Sequence, residues 1–390
     1  RSFSLLCGVG ALCFLTYNLI RMPVLALFAD SLGAGPEAIG FVVAASTLTG
    51  VVLKLPSGLL SDMYGRRLLL GIGIVMFAVP PFAYLLVSNV GSLTGLRFIH
   101  GMATAIFAPA ALAAVADLYR ERRGTTLGIY TASTQAGALF GPVLGGWLVY
   151  AVGFPPTFVA GGLIGGIALL LFAGLRLDSG QGLKKPPSVK PVMTEMRDRV
   201  GEAARNIPVI TTSIADAAKM VARGALMAFL PIYGISVGLN PGEVGMLFGV
   251  QGVTSLLAKP AMGRVSDHVG RRPLILLGLL VCAATFAMIP HVETFLALAS
   301  FAAGFGFGEA IVTASAAALV ADLSQQKGLG GGMGLQGTIM DLGHASGPLI
   351  AGFLIASVSF RGAFMVIAGL QILVAAIFWL TTRSGRIRAH

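Results

Sequence analysis

The stretch "KLPSGLLSDMYGRR" (Lys54–Arg67) recurs 205 positions later as "KPAMGRVSDHVGRR" (Lys259–Arg272). Both copies keep a Lys, a Gly, an Asp and a Gly-Arg-Arg in register, although apolar sequence surrounds them. Such a repeat predicts two similar halves that share one architecture. The composition then indicates the medium in which these halves fold.

The chain has 390 residues, of which 56% are hydrophobic and only 11% are charged. This balance lies outside the range of soluble globular domains. Apolar segments of about 20 residues or more recur, and each can cross the roughly 30 Å hydrocarbon core as a helix. The sequence therefore predicts an all-α membrane protein in contact with the lipid bilayer, with twelve transmembrane helices at 4–32, 37–61, 68–89, 92–119, 124–150, 155–177, 207–235, 241–265, 273–290, 293–321, 328–357 and 361–382. The first of these is expected to be a retained span and not a signal peptide.

The basic residues explain a net charge of +11 without a nucleic-acid partner. Most Lys and Arg lie in alternate loops and in the C-terminal tail, whereas the opposite loops carry only Arg361. This positive-inside bias predicts that both termini and the long central loop are cytoplasmic. Cys7, Cys13 and Cys282 lie within spans at unpaired spacings, so neither disulfides nor a metal site is predicted.

The two halves align well beyond the opening phrase. At the same offset Pro36 meets Pro241 and Asp117 meets Asp322, while "GALFGPVLGGWL" (137–148) meets "GHASGPLIAGFL" (343–354) at an offset of 206. Six spans thus repeat as six spans in the same orientation, which predicts two pseudo-symmetric six-helix bundles and a central site between them. The expected domains are residues 1–177, a cytoplasmic linker at 178–206, and residues 207–390.

The predicted linker has two parts. "GLKKPPSVKP" is typical of a stiff, basic connector. In "VMTEMRDRVGEAARNI" apolar residues recur every four positions, which indicates a short helix on the membrane surface, and a disordered linker remains the alternative.

Several motifs resemble those of the major facilitator superfamily, and the likeness covers essentially the whole chain. "GLLSDMYGRR" and "GRVSDHVGRR" match its loop signature G-x-x-x-D-x-x-G-R-R, and "RFIHGMATA" (97–105) resembles its helix 4 motif R-x-x-Q-G with His100 in place of Gln. "GALFGPVLGGWL" is similar to the helix 5 motif of proton-coupled drug and metabolite antiporters. The resemblance implies a transporter of a small-molecule substrate that works by alternating access, without a cofactor, and it favours efflux in exchange for protons.

The resemblance also implies gating roles for the loop signatures. Asp62 is expected to face the N-terminal end of helix 11 while Arg66 bridges to another carboxylate, and Asp267 with Arg271 should act in the same way against helix 5. Alternatively, the arginines only satisfy the positive-inside rule. The residues assigned to this latch are Gly58, Asp62, Gly65, Arg66 and Arg67, with Asp267, Arg271 and Arg272 in the second copy.

Charges inside the spans carry the substrate hypothesis, because each costs about 2.5–3.5 kcal/mol at a helix centre. They are six cations and three carboxylates: Arg21, Lys54, Arg97, Lys219, Arg223 and Lys259 with Asp216, Glu309 and Asp341. The resemblance implies that helices 1, 4, 7 and 10 line the cavity, which gathers the substrate-binding candidates Arg21, Arg97, Lys219, Arg223 and Glu309, with Tyr17 and Asn18. The surplus of cations favours an anionic or zwitterionic substrate, such as a carboxylate or a metal chelate of one.

Other interpretations stay open. The charges can neutralise each other, with Asp216 on Lys219 or Arg223 and Glu309 on Arg97. Import by a proton symporter or a uniporter is the main alternative in function; a membrane-embedded enzyme or receptor is disfavoured because no catalytic or nucleotide-binding motif occurs. Arg21 lies where polyspecific cation exporters often keep a carboxylate, which disfavours a lipophilic cation. We expect a monomer in a bacterial inner membrane, with proton-coupling candidates Asp341, His344, Glu309, Asp216 and His100.

The lysine ahead of each loop signature lies about 10 Å inside the cytoplasmic end of its helix. Asp341 has a similar depth in helix 11, and the resemblance implies that helices 2 and 11 face each other, so we expect Lys54 to contact Asp341 when the cytoplasmic side is closed. By the repeat, Lys259 is expected to contact Gln135. Snorkelling of the lysine to the headgroups, without a partner, is the alternative.

Replacing Asp341 by Asn tests this gate. Asp341→Asn removes the titratable partner of Lys54, so gradient-driven transport should fall while substrate binding stays close to that of the wild type. Uptake into vesicles at several pH values measures the first effect and an equilibrium binding assay the second. Normal transport with a normal pH profile would contradict the proposed contact.

Overall fold

The structure, a computed structural model, describes residues 2–118, 122–175, 201, 204–324 and 329–383. Within these ranges the regular secondary structure is entirely helical, which confirms the predicted all-α class. The predicted surface helix and most of the predicted linker at 178–206 lie outside the described residues. In the part of the chain that the structure describes, twelve long helices follow one another as α1 Ser2–Ser31, α2 Pro36–Tyr64, α3 Arg66–Leu86, α4 Val90–Leu118, α5 Arg123–Val152, α6 Phe154–Ala173, α7 Ile207–Ser236, α8 Pro241–Val269, α9 Arg271–His291, α10 Phe295–Ser324, α11 Leu329–Ser357 and α12 Phe360–Arg383.

Eleven of these helices are long and apolar enough to cross a membrane. Helix α8 is the exception: its 29 residues give ample length, but they include Gln251, Thr254 and Lys259, which lower its apolar character. Helix α1 is interrupted between Arg21 and Val24, where Pro23 lacks the N–H needed to continue the hydrogen-bond ladder. The helix ends agree with the predicted spans to within a few residues.

The chain forms two compact units. The first comprises the described residues of 1–186 together with Leu230–Gly249, and the second those of 187–229 and 250–390. In the first unit α3 packs against α4 and α6, and in the second unit α9 packs against α10 and α12. Because α9, α10 and α12 are the repeat partners of α3, α4 and α6, each unit uses the same helix pairs.

Glycines bring the first and fifth helices of each unit into backbone contact. A Cβ added at Gly137 of α5 would lie 2.0 Å from the carbonyl oxygen of Ala11 in α1, which is far inside van der Waals distance. The repeat-related Gly343 of α11 would bring a Cβ to 2.6 Å from the carbonyl oxygen of Ala217 in α7. Only glycine permits this approach, as is common where transmembrane helices pack closely.

Another glycine of the helix 5 motif faces a different helix. A Cβ at Gly146 would lie 2.3 Å from the carbonyl oxygen of Pro241, and a Cβ at Gly245 would lie 2.4 Å from that of Pro142. The first turns of α8 belong to the same unit as α5, so this contact is internal to that unit. The motif therefore packs α5 against α1 on one side and against the start of α8 on another.

Two glycines and one arginine shape the ends of the helices. Gly65 and Gly270 have φ angles of +93° and +103°, in the region that favours glycine, and they form the turns that join α2 to α3 and α8 to α9. Arg361, the single basic residue of its set of loops, donates from Nε to the carbonyl oxygen of Pro290 at 3.2 Å. It thereby satisfies an acceptor at the end of α9.

The α1–α5 contact gives a stability prediction. Gly137→Ala should destabilise the protein by about 1–3 kcal/mol, since its methyl group must displace the α1 backbone. Gly166→Ala in α6 is the matched control, because a Cβ there meets nothing within 4 Å. Thermal unfolding in detergent measures both variants, and an equal midpoint for the two would contradict the close backbone contact.

Candidate functional site

The first loop signature forms a network of two carboxylates and one arginine. Arg66 is ion-paired with Asp62 four residues earlier, and its Nε donates to Oδ2 of Asp117 at 3.3 Å. Its Nη1 also donates to the hydroxyl of Ser61 at 3.1 Å. Arg66 therefore ties the end of α2 to the end of α4 within the first unit.

The second signature repeats this geometry in the second unit. Arg271 is ion-paired with Asp267, and its Nε donates to Oδ2 of Asp322 at 3.3 Å. Arg272 donates from Nη1 to the carbonyl oxygen of Thr382 at 2.6 Å, so it caps α12. Asp117 and Asp322 are not among the site residues predicted from the sequence, although they align at the offset of the repeat.

The remaining residues of the first signature are less constrained. Arg67 is exposed. A Cβ at Gly58 would meet Pro109 at 3.9 Å, which is ordinary contact, so within the described residues Gly58 does not occupy a crowded position.

A fully buried arginine lies in the interior of the first unit. Arg97 of α4 has an exposed fraction of 0% and donates from Nη2 to the hydroxyl of Ser46 at 2.5 Å and from Nη1 to that of Tyr84 at 3.2 Å. The Tyr84 hydroxyl also hydrogen-bonds Nδ1 of His100 at 3.1 Å. None of these partners is a carboxylate. Within the described residues, Nε of Arg97 and Nε2 of His100 are buried and have no hydrogen-bond partner.

Arg97 and a second arginine, Arg21, both contact the aromatic ring of Tyr17. The guanidinium carbons of Arg97 and Arg21 lie 5.7 Å and 5.6 Å from the centre of the Tyr17 ring, so both cations contact one π system. Arg21 is partly exposed and donates to the hydroxyl of Thr47 at 3.1 Å. Asn18 does not join this cluster through its amide, which donates to the backbone carbonyl of Phe14 at 2.8 Å.

The second unit contains a buried ion pair within one helix. Nζ of Lys219 lies 2.5 Å from Oδ1 of Asp216, and both side chains are at most 2% exposed. Lys219 also donates to the hydroxyl of Thr313 at 2.6 Å, and Gln336 donates to Oδ2 of Asp216 at 3.0 Å. The pair is therefore hydrogen-bonded on both sides, as a buried pair requires.

A second ion pair in the same unit is only half buried. Arg223 of α7 is paired with Glu309 of α10; the Glu309 side chain is 2% exposed and that of Arg223 38%. Gln251 of α8 donates to the other oxygen of Glu309 at 3.5 Å. Lys259, about two turns further along α8, is partly buried and interacts electrostatically with Glu309.

These contacts connect the charged candidates to polar residues that the sequence analysis overlooked. Ser46, Tyr84, Thr313, Gln336 and Gln251 are uncharged, so a search for charges in apolar spans does not find them. Ser46 and Gln251 occupy repeat-related positions, and each contacts the charged residue of its own unit. A search for polar residues at matching offsets would have found this pair.

The gate candidates lie on the predicted helices. Lys54 is on α2 and Gln135 on α5 in the first unit, while Asp341 and His344 are on α11 in the second. The contacts of Lys54 with Asp341 and of Lys259 with Gln135 stay predictions.

Removing one charge of the Asp216–Lys219 pair should destabilise the protein more than removing both charges. Asp216→Asn leaves Lys219 as an uncompensated buried charge, which costs about 3–5 kcal/mol. The double variant Asp216→Asn/Lys219→Met should recover most of that loss. Unfolding of the two single variants and the double variant in detergent gives the comparison, and a double variant less stable than either single variant would show that the charges do not stabilise each other.

Comparison with known proteins agrees with this architecture. The family model described as Major Facilitator Superfamily matches residues 6–215 and 212–389. The multidrug resistance protein MdtG of Escherichia coli O17:K52:H18 is 27% identical over 393 residues, which cover 96% of this chain and 93% of that protein. MdtG of Escherichia coli K12 has the same identity and coverage.

Solved structures show the same fold at low sequence identity. A bacterial homologue of the human lysosomal transporter Spinster, inward-facing and unoccupied, superposes with a TM-score of 0.80 at 14% identity, covering 98% of this chain and 96% of that one. The nucleoside transporter NupG superposes with a TM-score of 0.81 at 12% identity, covering 98% and 99%. The solved structures show the fold, and the family match over the chain shows that the protein is an integral membrane transporter and not an enzyme. The chain belongs to the Major Facilitator Superfamily.

Proposed function

We propose that this protein is a secondary active transporter that exports a small organic solute carrying a carboxylate, anionic or zwitterionic, in exchange for protons. Transport would occur by alternating access across a bacterial inner membrane. The cytoplasmic termini and the monomeric state expected from the sequence are part of this proposal. So are the gating roles of the two loop signatures, of Lys54 with Asp341 and of Lys259 with Gln135.

The observation that carries the proposal is the environment of Arg97. Its described hydrogen-bond partners are hydroxyl groups and a histidine, and its Nε is buried without an acceptor. An arginine cannot lose its charge in a protein, so its positive field persists in the interior. A buried cation of this kind favours a negatively charged group nearby, and a substrate carboxylate supplies one.

The charges of the second unit support the same substrate class. Asp216 neutralises Lys219 and Glu309 neutralises Arg223, while Lys259 and Asp341 add one further charge of each sign, so the interior charges of this unit sum to zero. The interior charges of this unit therefore do not offset the positive field around Arg97. A substrate that is only cationic would meet repulsion there, whereas a carboxylate would be attracted.

The direction of transport rests on different observations. The helix 5 motif resembles that of proton-coupled antiporters, and the relatives named MdtG are called multidrug resistance proteins. The motif supports antiport, and the name of these relatives supports efflux. Symport or uniport that imports an organic anion or a metal chelate is the alternative. Antiport and symport respond oppositely to an imposed pH gradient, whereas a uniporter does not respond to it.

Arg97 provides the variant that tests the substrate class. Arg97→Gln should weaken the binding of carboxylate solutes by about 10- to 100-fold, because a charged hydrogen bond contributes about 1.5–3 kcal/mol. Arg97→Lys should retain part of the affinity. Proteoliposomes with an imposed pH gradient and a panel of labelled organic acids measure both flux and its direction.

Arg123→Gln is the matched control, since it removes the same charge from an exposed position at the start of α5. Antiport predicts that the solute accumulates on the side of the membrane that protons leave. Symport predicts that it accumulates on the side that protons enter. Equal flux in wild type, Arg97→Gln and Arg123→Gln would contradict a role for Arg97 in holding the substrate.

A further inference from the structure

Glu309 is a buried carboxylate whose negative charge must be compensated by a cation or a proton. Its side chain is 2% exposed, one oxygen is paired with Arg223, and the other accepts a hydrogen bond from Gln251. A neutral amide such as Gln251 cannot compensate an ionised carboxylate in a medium of low dielectric. Glu309 therefore requires a cation or a proton at all times.

The groups around Glu309 leave few candidates for that cation. Lys219 on α7 is held by Asp216 and Thr313, and Lys259 on α8 interacts with Glu309 without forming an ion pair to it in the part of the chain described. Cys282 on α9 is a buried neutral neighbour. Arg223 is thus the working counter-charge.

The same Arg223 is the accessible member of the pair. Its side chain is 38% exposed, whereas that of Glu309 is 2% exposed. A ligand that enters the second unit reaches the guanidinium first, and a ligand carboxylate competes with Glu309 for it in a bidentate geometry. When such a ligand displaces Arg223 from Glu309, the Glu309 carboxylate needs another cation or a proton.

We propose that the Arg223–Glu309 pair is an exchange site whose proton coupling depends on the charge of the ligand. A ligand that has only a carboxylate takes Arg223, and Glu309 then binds a proton from water at one carboxyl oxygen. A zwitterionic ligand takes Arg223 with its carboxylate and places its ammonium on Glu309, which stays ionised. In the second case a proton already on Glu309 must leave to water before the ammonium binds.

The two ligand classes therefore couple to protons with opposite signs. A plain anion and a proton bind together, which is the thermodynamic basis of symport. A zwitterion and a proton exclude each other at Glu309, which is the basis of antiport. This inference rests on the proposed function, and it narrows the exported substrate to a zwitterion with an ammonium group near its carboxylate.

Matched pairs of ligands test the exchange site on the intact protein. Each pair consists of an amino acid and the acid that lacks only its amine, such as phenylalanine with 3-phenylpropanoate and glutamate with glutarate. Binding is measured in weakly buffered detergent solution with a pH indicator. We expect uptake of up to about one proton for each bound acid, and for each bound amino acid a release that grows as the pH falls and Glu309 becomes protonated.

Glu309→Gln removes the proton site while keeping a group of similar shape. In this variant we expect proton exchange to vanish for both ligands, affinity for the acid to rise about tenfold or more, and affinity for the amino acid to fall by a similar factor. Glu37→Gln, at an exposed position near the start of α2, should leave both affinities and both proton counts unchanged.

The outcomes separate the two proposals. Proton exchange of the same sign for both ligand classes in the wild type would overturn the exchange site, and this result does not depend on the folding of any variant. So would equal shifts of both affinities in Glu309→Gln. Binding of neither class by wild-type protein, with binding of uncharged or cationic compounds instead, would overturn the proposed substrate class itself.

Discussion

An ionised side chain inside a membrane protein needs an opposite charge, a proton or a dense set of hydrogen bonds, because the surrounding hydrocarbon offers no water. The two units meet this requirement in different ways. Arg97 is held by hydroxyl groups and His100 against the Tyr17 ring, so its charge is solvated but not cancelled. In the second unit Lys219 and Arg223 each have a carboxylate. Among the described residues, the first unit therefore holds Arg97 without a carboxylate partner, and the second unit holds Lys219 and Arg223 in ion pairs.

The two units share their packing contacts but differ in their interior charges. Gly101 packs on Ser46 in the first unit, and the repeat-related Gly306 packs on Gln251 in the second. The loop networks of Arg66 and Arg271 also match in partners and distances. In contrast, the repeat partner of Arg97 is Ala302 and that of Glu309 is Thr104. Packing positions thus follow the common plan, while the polar interior differs between the two units.

Much of the fold was readable from the sequence, because apolar length and the repeat leave few alternatives for a chain of this composition. The contacts that complete the sites were less accessible. Asp216 with Lys219 could be inferred from a spacing of three residues on one helix. The pairing of Glu309 with Arg223 could not, since it depends on how α10 sits against α7, and the sequence equally allowed Arg97 as its partner. Tyr84 and Gln336 are polar residues in apolar context whose roles depend wholly on packing.

The close helix contacts were also only partly predictable from the sequence. The glycines of the helix 5 motif predicted a smooth face, but only the structure separates Gly137, which contacts α1, from Gly146, which contacts the start of α8. One motif therefore serves two interfaces. Spacing along a helix identifies a face, whereas the neighbour that covers it depends on the arrangement of the other helices.

The most direct measurement of the central claim compares labelled organic acids with their carboxamide counterparts in proteoliposomes under a pH gradient. The two compounds of each pair have nearly the same size and shape and differ in the negative charge. The roles proposed for Arg97 and for Arg223 each predict transport of the acid or amino acid and little transport of the amide. Equal transport of both, or faster transport of a lipophilic cation, would contradict a binding site selected by positive charge.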